Sequence, residues 1–143
     1  MTDADVRRLL ADKTIRHVAA DPETASVEME TARRHIASAE KIMADDPTLA
    51  FTALYDAMRK AISAHMRARG YRIGRGPGGH AKTGEYAVAA LNHLGIDRHV
   101  DQFDALRDLR NQSEYDALHV DVGEVREALE HVQAIIDAIA ADL

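Results

Sequence analysis

The C-terminal segment of the chain, residues 121–140, reads DVGEVREALEHVQAIIDAIA. Its regularly spaced apolar positions are Val122, Val125, Leu129, Val132, Ile136 and Ile139. An alternation of three and four residues is the spacing of one face of an α-helix. Asp121 precedes the first apolar position and Glu124 follows three residues later, which resembles a capping box with aspartate in place of serine. The segment therefore predicts a long amphipathic helix.

Two further helices are predicted upstream, each beginning at an aspartate followed by a proline. Asp21-Pro22 and Asp46-Pro47 place a capping carboxylate before a proline at the first helical position. The apolar positions that follow are Met29, Ala32, Ile36, Ala39 and Met43 in the first segment, and Phe51, Leu54, Met58, Ala61, Ile62 and Met66 in the second. This spacing predicts two more amphipathic helices.

Shorter segments complete the prediction of the fold. We expect an N-terminal helix within residues 1–20, another helix over residues 86–94, and one over residues 103–117. No run of residues has the pattern of a strand. The prediction is an all-α fold, a compact up-and-down antiparallel bundle of five or six helices, in a single domain that spans residues 1–143.

The composition limits the class of protein. A chain of 143 residues with 46% hydrophobic and 29% charged residues is typical of one globular domain. The absence of cysteine excludes disulfides and thiolate chemistry. The N-terminus is acidic and lacks the pattern of a signal peptide, and no stretch approaches the roughly 18 apolar residues of a membrane span. We therefore expect a cytoplasmic protein that does not enter a membrane.

The charge is unevenly distributed. The formal net charge is −6, yet no acidic residue lies between Asp56 and Glu85. That interval holds seven of the 18 lysine and arginine residues, namely Arg59, Lys60, Arg67, Arg69, Arg72, Arg75 and Lys82. A basic segment in an acidic chain is either a binding site for an anion or a helix end and loop whose charges pair with acidic residues elsewhere.

A glycine-rich basic loop is expected at residues 70–83. It contains a literal G-x-G-x-x-G, formed by Gly74, Gly76 and Gly79. The dinucleotide-binding form of this motif needs a preceding strand and a helix that opens within it, whereas here a long helix precedes the loop and Pro77 interrupts it. Two interpretations remain: a backbone that presents N–H groups to a phosphate beside Arg72 and Arg75, or a flexible turn between helices.

Metal and cofactor sites are not predicted. The eight histidines show neither an H-x-x-x-H nor an H-E-x-x-H spacing, and no thiolates accompany them. A G-x-S-x-G nucleophile elbow is also absent from the sequence. We therefore expect no metal, no cofactor and no serine or cysteine nucleophile.

A polar run interrupts the predicted helix over residues 103–117, where residues 108–116 read DLRNQSEYD. Arg110 falls on the apolar stripe of this helix and needs an acceptor, for which Glu114 and Asp56 are the candidates. Tyr115 lies about 140° around an ideal helix from Arg110, so the two side chains face one cleft only if the helix is irregular or a second copy contributes. The alternative is a structural arginine held by a carboxylate.

The run Arg110-Asn111-Gln112-Ser113-Glu114-Tyr115 resembles the R-[polar]-x-x-x-H motif of the HEPN superfamily, with tyrosine at the histidine position. The helical segment around residues 55–61, followed by Arg69-Gly70-Tyr71-Arg72 and the glycine-rich loop, is similar to the middle of compact bacterial HEPN proteins. The resemblance covers roughly residues 23–143.

The resemblance implies a helical bundle that dimerises along its motif helix, which here is the Arg110 helix. Active HEPN proteins are metal-independent ribonucleases, many of them toxins or antiviral effectors, and others bind nucleotides or partner proteins without cleavage. In the active members, histidine moves protons near neutral pH and arginine holds phosphate charge. Tyrosine is a weaker general base than histidine at neutral pH.

The resemblance and the basic segment together give the candidate residues. The candidate catalytic residues are Arg110, Asn111, Tyr115 and His119, and the candidate nucleic-acid-binding residues are Arg67, Arg69, Arg72, Arg75 and Lys82. The expected function is a HEPN-type RNA-engaging homodimer, acting as a metal-independent ribonuclease or as one component of a toxin–antitoxin or defence pair with a cognate partner protein. The alternatives are a non-catalytic module for dimerisation or partner binding, and a nucleotide sensor that uses the glycine-rich loop.

Overall fold

The elements of the fold are taken from a computed structural model that describes residues 4–143. In chain order they are α1 (Ala4–Ala11), β1 (Ile15–His17), α2 (Pro22–Ile42), α3 (Pro47–Arg69), β2 (Tyr71–Ile73), α4 (Gly79–Leu91), a 3-10 turn (Asn92–Leu94), α5 (Asp97–Val100), α6 (Phe103–Tyr115) and α7 (Val122–Asp142). Six of these helices have eight or more residues. The prediction of an all-α bundle is confirmed.

The three long helices begin at the predicted caps. Asp21 and Asp46 each accept a hydrogen bond from the backbone N–H three residues later, at 3.0 and 3.2 Å. At the start of α7, the Asp121 carboxylate accepts from the Glu124 N–H at 2.8 Å, and Glu124 accepts from the Asp121 N–H at 3.2 Å. These bonds satisfy N–H groups that a helix leaves without partners, so the sequence sets where each helix starts.

Helix α3 lies at the centre and the other helices pack around it. Its antiparallel partner is α2, because Glu28 near the start of α2 pairs with Arg67 at the end of α3, at 2.6 Å. The α2–α3 and α3–α7 interfaces are rich in alanines with no exposed surface, which are Ala32, Ala39, Ala50, Ala57, Ala61 and Ala64. Small side chains let the helix axes approach closely.

The order of the bundle departs from strict up-and-down alternation at α4. The start of α4 contacts α3 through His80 and Tyr55, and a later turn contacts α3 through Tyr86 and His65. Helix α4 therefore runs in the same general sense as α3. The chain returns between them through β2, which begins two residues after α3 ends.

The prediction that the chain has no strand is wrong. β1 and β2 form an antiparallel pair in which Ile15 faces Ile73 and His17 faces Tyr71. Three-residue strands are too short to show the two-residue periodicity that marks a strand in a sequence. The end of the strand pair has no room for a side chain at Gly74, because a Cβ atom there would lie 2.0 Å from the Lys13 carbonyl oxygen.

The strand pair also corrects two predicted boundaries. The N-terminal helix predicted within residues 1–20 ends at Ala11, and Lys13 follows with a φ of +61° that stops the helix; residues 1–3 lie outside the described residues. The irregular loop predicted at residues 70–83 is confined to residues 74–78, since β2 occupies its start and α4 begins at Gly79.

One cluster of buried apolar side chains joins these helices. A single domain over residues 1–143 stays a prediction. Within residues 4–143, no helix combines the length and the apolar character needed to cross a membrane.

Candidate functional site

Arg110 lies in a pocket of about 280 Å³ where α2, α3, α4 and α6 meet. Its ionisable lining comprises His35, Tyr55, Asp56, Arg59, His80 and Arg110. We call this space the Arg110 pocket. Four different helices supply the lining, so the pocket exists only in the folded chain.

Tyr55 and His80 are paired inside this pocket. The Tyr55 hydroxyl lies 3.0 Å from His80 Nδ1, and the two rings stack with centroids 5.7 Å apart. Tyr55 is 3% exposed and held by α3, whereas His80 sits in the first turn of α4 directly after the glycine-rich loop. The buried phenol therefore fixes the orientation of the imidazole ring.

The pocket favours the neutral form of His80. Burial lowers the pKa of His80 below its ordinary value, and the positive charges of Arg59, Arg110 and Arg107 lower it further. Burial also raises the pKa of Tyr55, so this side chain remains a phenol at neutral pH. A neutral imidazole held against a phenol can accept a proton at Nε2.

Arg110 stacks on the same tyrosine. Its Cζ atom lies 5.9 Å from the centroid of the Tyr55 ring, which is a cation–π distance. Its closest side-chain acceptor is Asn111 Oδ1, at a long 3.5 Å. Within residues 4–143, no carboxylate lies within ion-pairing distance of the guanidinium, so its N–H groups remain available to an anion.

The two carboxylates named as candidate acceptors for Arg110 contact other side chains instead. Asp56 accepts from Arg59 at 2.8 Å and lies 3.1 Å from His35 Nε2. Glu114 lies 3.5 Å from the Thr52 hydroxyl. Arg110 is therefore not the structural arginine, held by a carboxylate, that the sequence left as an alternative.

The other candidate catalytic residues lie apart from this pocket. Asn111 adjoins Arg110, but Tyr115 at the end of α6 is 76% exposed and does not line the Arg110 pocket. His119 is exposed in the connection that follows α6. The structure thus brings Arg110 and Asn111 together and leaves Tyr115 and His119 on the surface of the chain.

Two of the five candidate nucleic-acid-binding residues form ion pairs. Arg67 donates to Glu28 at 2.6 Å, and Arg69 donates to Asp142 at 2.9 Å. These contacts tie the end of α3 to α2 and α7. Arg67 and Arg69 thus fit the second interpretation of the basic segment, in which its charges pair with acidic residues elsewhere in the chain.

The remaining three lie on or beside the short strand and the loop. Arg72 is exposed on β2 and Arg75 is exposed in residues 74–78. Lys82 turns back to the loop and donates to the Arg75 carbonyl oxygen at 3.0 Å. None of the five candidate residues lines the Arg110 pocket.

Sequence reasoning missed most of the pocket lining. His80, Tyr55 and His35 come from three helices at distant positions in the chain, so no local spacing joins them. The available signal was weak: His80 follows the glycine-rich loop, and Tyr55 lies in the segment that carries the family resemblance. Within the described residues, no group of three or more histidine or carboxylate side chains is placed to hold a metal ion.

Comparison with known proteins gives one result. The family model described as HEPN domain matches residues 25–142. No curated protein sequence and no solved structure matches the chain significantly.

Proposed function

Because the chain belongs to the HEPN family, we propose that it engages RNA and that the Arg110 pocket binds a phosphodiester of the RNA backbone. The observation that carries this proposal is Arg110 itself, a guanidinium on the family motif that lies in a pocket with no carboxylate partner among the described residues. A guanidinium with free N–H groups matches the paired oxygens of a phosphate.

The charge balance of the pocket supports an anionic ligand. Arg59 and Arg110 line it, and Asp56 is the one carboxylate in its described lining. Asp56 is shared with Lys60, whose Nζ lies 3.8 Å away, as well as with Arg59. A volume of about 280 Å³ suits a phosphate group with part of its ribose.

The finer proposal is a homodimer through α6, acting as a metal-independent ribonuclease or as one component of a toxin–antitoxin or defence pair. Three large apolar side chains, at the start of α3 and around the end of α6, support it: Leu49 is 54% exposed, Leu118 43% and Tyr115 76%. The bond from the Val120 N–H to the Thr48 hydroxyl holds the end of this segment beside the start of α3. Exposed apolar side chains grouped in this way are typical of a protein interface.

RNA binding tests the proposal directly. We expect a labelled single-stranded RNA to bind the purified chain with an affinity that falls as salt rises, because binding releases counterions from phosphates. Arg110→Ala should weaken binding roughly 10- to 100-fold, since hydrogen bonds to a charged group contribute about 1.5–3 kcal/mol. Fluorescence anisotropy over a salt series measures both effects.

Arg126→Ala is the matched control, because Arg126 is an exposed arginine on the outer face of α7. Its dissociation constant should stay within about twofold of the wild-type value, as a distant surface charge contributes little. Absent or salt-insensitive RNA binding would contradict the proposal, as would equal weakening by the two substitutions.

A non-catalytic partner-binding module is the second candidate, and the exposed Leu49, Tyr115 and Leu118 favour it. Light scattering coupled to size exclusion distinguishes the two candidates. A dimer that Tyr115→Asp dissociates, in a chain that does not bind RNA, would favour the module.

A further inference from the structure

We propose that His80 is the proton-transfer residue of the Arg110 pocket, supplied by α4 in place of the histidine that the motif lacks at Tyr115, and that Tyr55 positions it. The inference rests on the proposed function, because it gives His80 a role in cleaving the RNA that the pocket is proposed to bind. His80 lies outside the family motif.

The geometry joins His80 to Arg110 through one buried side chain. The Tyr55 hydroxyl lies 3.0 Å from His80 Nδ1, and Arg110 Cζ lies over the face of the Tyr55 ring, 5.9 Å from its centroid. Both functional groups line the same pocket. Because Tyr55 is 3% exposed and also packs against Phe103, with ring centroids 6.0 Å apart, it provides a fixed platform for both.

The surroundings set the protonation state of the imidazole. The charged or titratable groups that line this pocket with His80 are Tyr55, Asp56 and Arg59 on α3, Arg110 on α6, and His35 on α2, and the charge of Arg107 on α6 also acts on it. Burial and the three arginines lower the pKa of His80, so the ring is neutral near pH 7. With Nδ1–H donating to the Tyr55 oxygen, the lone pair on Nε2 is free to accept a proton.

The reaction that this arrangement supports is a transesterification of RNA. His80 Nε2 takes the proton from a ribose 2′-hydroxyl, and the 2′-oxygen forms a bond to the adjacent phosphorus. The bond from phosphorus to the 5′-oxygen of the next nucleotide breaks, and that oxygen takes up a proton from a solvent water molecule. The proton that His80 then releases neutralises the hydroxide that this leaves. The products are a 2′,3′-cyclic phosphate and a 5′-hydroxyl, and the step needs no oxidant and no reductant. Arg110 and Arg59 hold the charge that builds on the non-bridging oxygens.

Tyr55 is a positioning residue in this scheme. Its phenol remains protonated, because burial raises its pKa. The scheme requires the His80 tautomer with its proton on Nδ1, which donates to the Tyr55 hydroxyl oxygen and leaves Nε2 facing away from α3. A carboxylate has the equivalent role in the Ser–His–Asp arrangement, where it fixes the tautomer and the orientation of the histidine.

The test measures binding and cleavage on the same proteins. The purified chain is incubated with a labelled single-stranded RNA in EDTA, and the cleavage rate and the dissociation constant are both determined. The wild type should cleave the RNA and leave a 2′,3′-cyclic phosphate, and an all-2′-deoxy version should remain intact. His80→Gln should lower the cleavage rate at saturating RNA at least 100-fold, the usual size of a general acid–base contribution, while the dissociation constant changes less than about threefold.

Two further variants separate proton transfer from packing. His80→Asn keeps a polar atom near the Nδ1 position and should lose cleavage to the same extent, while melting at the wild-type temperature. Tyr55→Phe should retain cleavage at a reduced rate and move the rising limb of kcat/KM to lower pH, because the bond from Nδ1–H stabilises the protonated ring.

His119→Gln tests the competing source of a histidine. Loss of cleavage in His119→Gln with full activity in His80→Gln would overturn the inference, as would cleavage by His80→Gln at the wild-type rate. RNA binding by the wild type without cleavage at any pH would also overturn it and leave the proposed function intact. Absence of RNA binding by the wild type would overturn both.

Discussion

Arg110 and Arg69 are both arginines, but their surroundings leave different hydrogen-bond donors available on each. Arg69 at the end of α3 donates to Asp142 at 2.9 Å and ties α3 to α7. Arg110 rests on the Tyr55 ring with its polar edge in a pocket, and the nearby carboxylates pair with other side chains. A guanidinium stacked on an aromatic face keeps all of its hydrogen-bond donors, whereas a guanidinium in an ion pair has committed some of them.

Arg110 was predictable from the sequence and His80 was not, for a physical reason. Arg110 belongs to a short motif on one helix, so a local pattern reveals it. The role proposed for His80 depends on its contact with Tyr55, a residue on another helix with no fixed spacing to it. Contacts between helices depend on the packed fold, and a single sequence carries no direct record of them.

Ala117 holds a backbone conformation that glycine adopts more easily. Its φ is +55°, in the turn where the N–H groups of Asp116 and Leu118 both donate to the Gln112 carbonyl oxygen. Left-handed backbone costs a residue with a Cβ on the order of 1–3 kcal/mol. Ala117→Gly should relieve this strain, although glycine also gains conformational freedom in the unfolded chain, which offsets part of the benefit. We expect the free energy of unfolding to rise by about 1 kcal/mol as the net result. Urea unfolding at neutral pH measures the change.

Ala37→Gly is the control for this substitution, because Ala37 is exposed in the middle of α2. It should lower the free energy of unfolding by roughly 0.5–1 kcal/mol, the usual cost of glycine within a helix. If the two substitutions destabilise the chain equally, the turn at Ala117 is not left-handed in solution.

Helices α4 and α6 bring His80 and Arg110 to one pocket, and Gly84 lets the two helices meet. A Cβ atom on Gly84 would lie 2.6 Å from Cδ1 of the Phe103 ring. Phe103 is 2% exposed and packs against Tyr55, so the ring has no room to retreat. The distance between α4 and α6 therefore depends on the absence of a side chain at this position.

Gly84→Ala should separate α4 from α6. We expect the free energy of unfolding to fall by about 1–3 kcal/mol, the usual cost of overpacking a core. RNA affinity should fall as well, because α4 and α6 both line the Arg110 pocket and the pocket changes shape when they separate. Chemical denaturation and fluorescence anisotropy measure the two effects.

Gly79→Ala is the matched control on the same helix, since a Cβ there meets no atom within 4 Å. It should leave both the stability and the RNA affinity close to their wild-type values. If Gly84→Ala melts like the wild type and binds RNA equally well, the two helices are not held at this distance.

The elements differ in how well their sequences predicted them. The starts of α2, α3 and α7 were readable because a cap and a three-and-four apolar pattern are local features. The strand pair was not, because it joins three-residue segments on opposite sides of the α2–α3 hairpin. The loop predicted at residues 70–83 covers only residues 74–78, because β2 and the start of α4 occupy the rest of that segment.

At the scale of the whole molecule, a buried histidine links the C-terminal end to the core. His65 is 1% exposed; its Nδ1 lies 2.9 Å from the Tyr86 hydroxyl and its Nε2 lies 2.9 Å from Asp142. A carboxylate only accepts, so Nε2–H donates to Asp142 and Nδ1 accepts from the phenol. Arg69 also donates to Asp142, at 2.9 Å, so α3, α4 and α7 are joined at one place.

The protonation of this network favours the folded state at neutral pH. Burial lowers the pKa of His65 to about 4, although the hydrogen bond to Asp142 acts in the opposite direction. Burial acts to raise the pKa of Asp142, but hydrogen bonds from His65 and His93 and the charge of Arg69 outweigh it, so that pKa is lowered. The unfolded chain therefore binds protons at these two groups more readily than the folded chain, and stability falls as the pH falls.

Acid should therefore loosen the whole bundle between pH 6.5 and pH 4, the window between the ordinary and the folded pKa of His65. We expect the free energy of unfolding to fall by about 2 kcal/mol from pH 7 to pH 5 through His65 alone.

His65→Gln should be less stable at pH 7 and should lose less on acidification, because glutamine does not titrate. The slope that remains comes from His80 and His99, whose pKa values burial also lowers, and toward pH 4 from carboxylates with lowered pKa values such as Asp142. Urea unfolding of the wild type, His65→Gln and the exposed-site control His119→Gln at several pH values measures these slopes. An unchanged slope in His65→Gln would show that folding does not shift the pKa of His65.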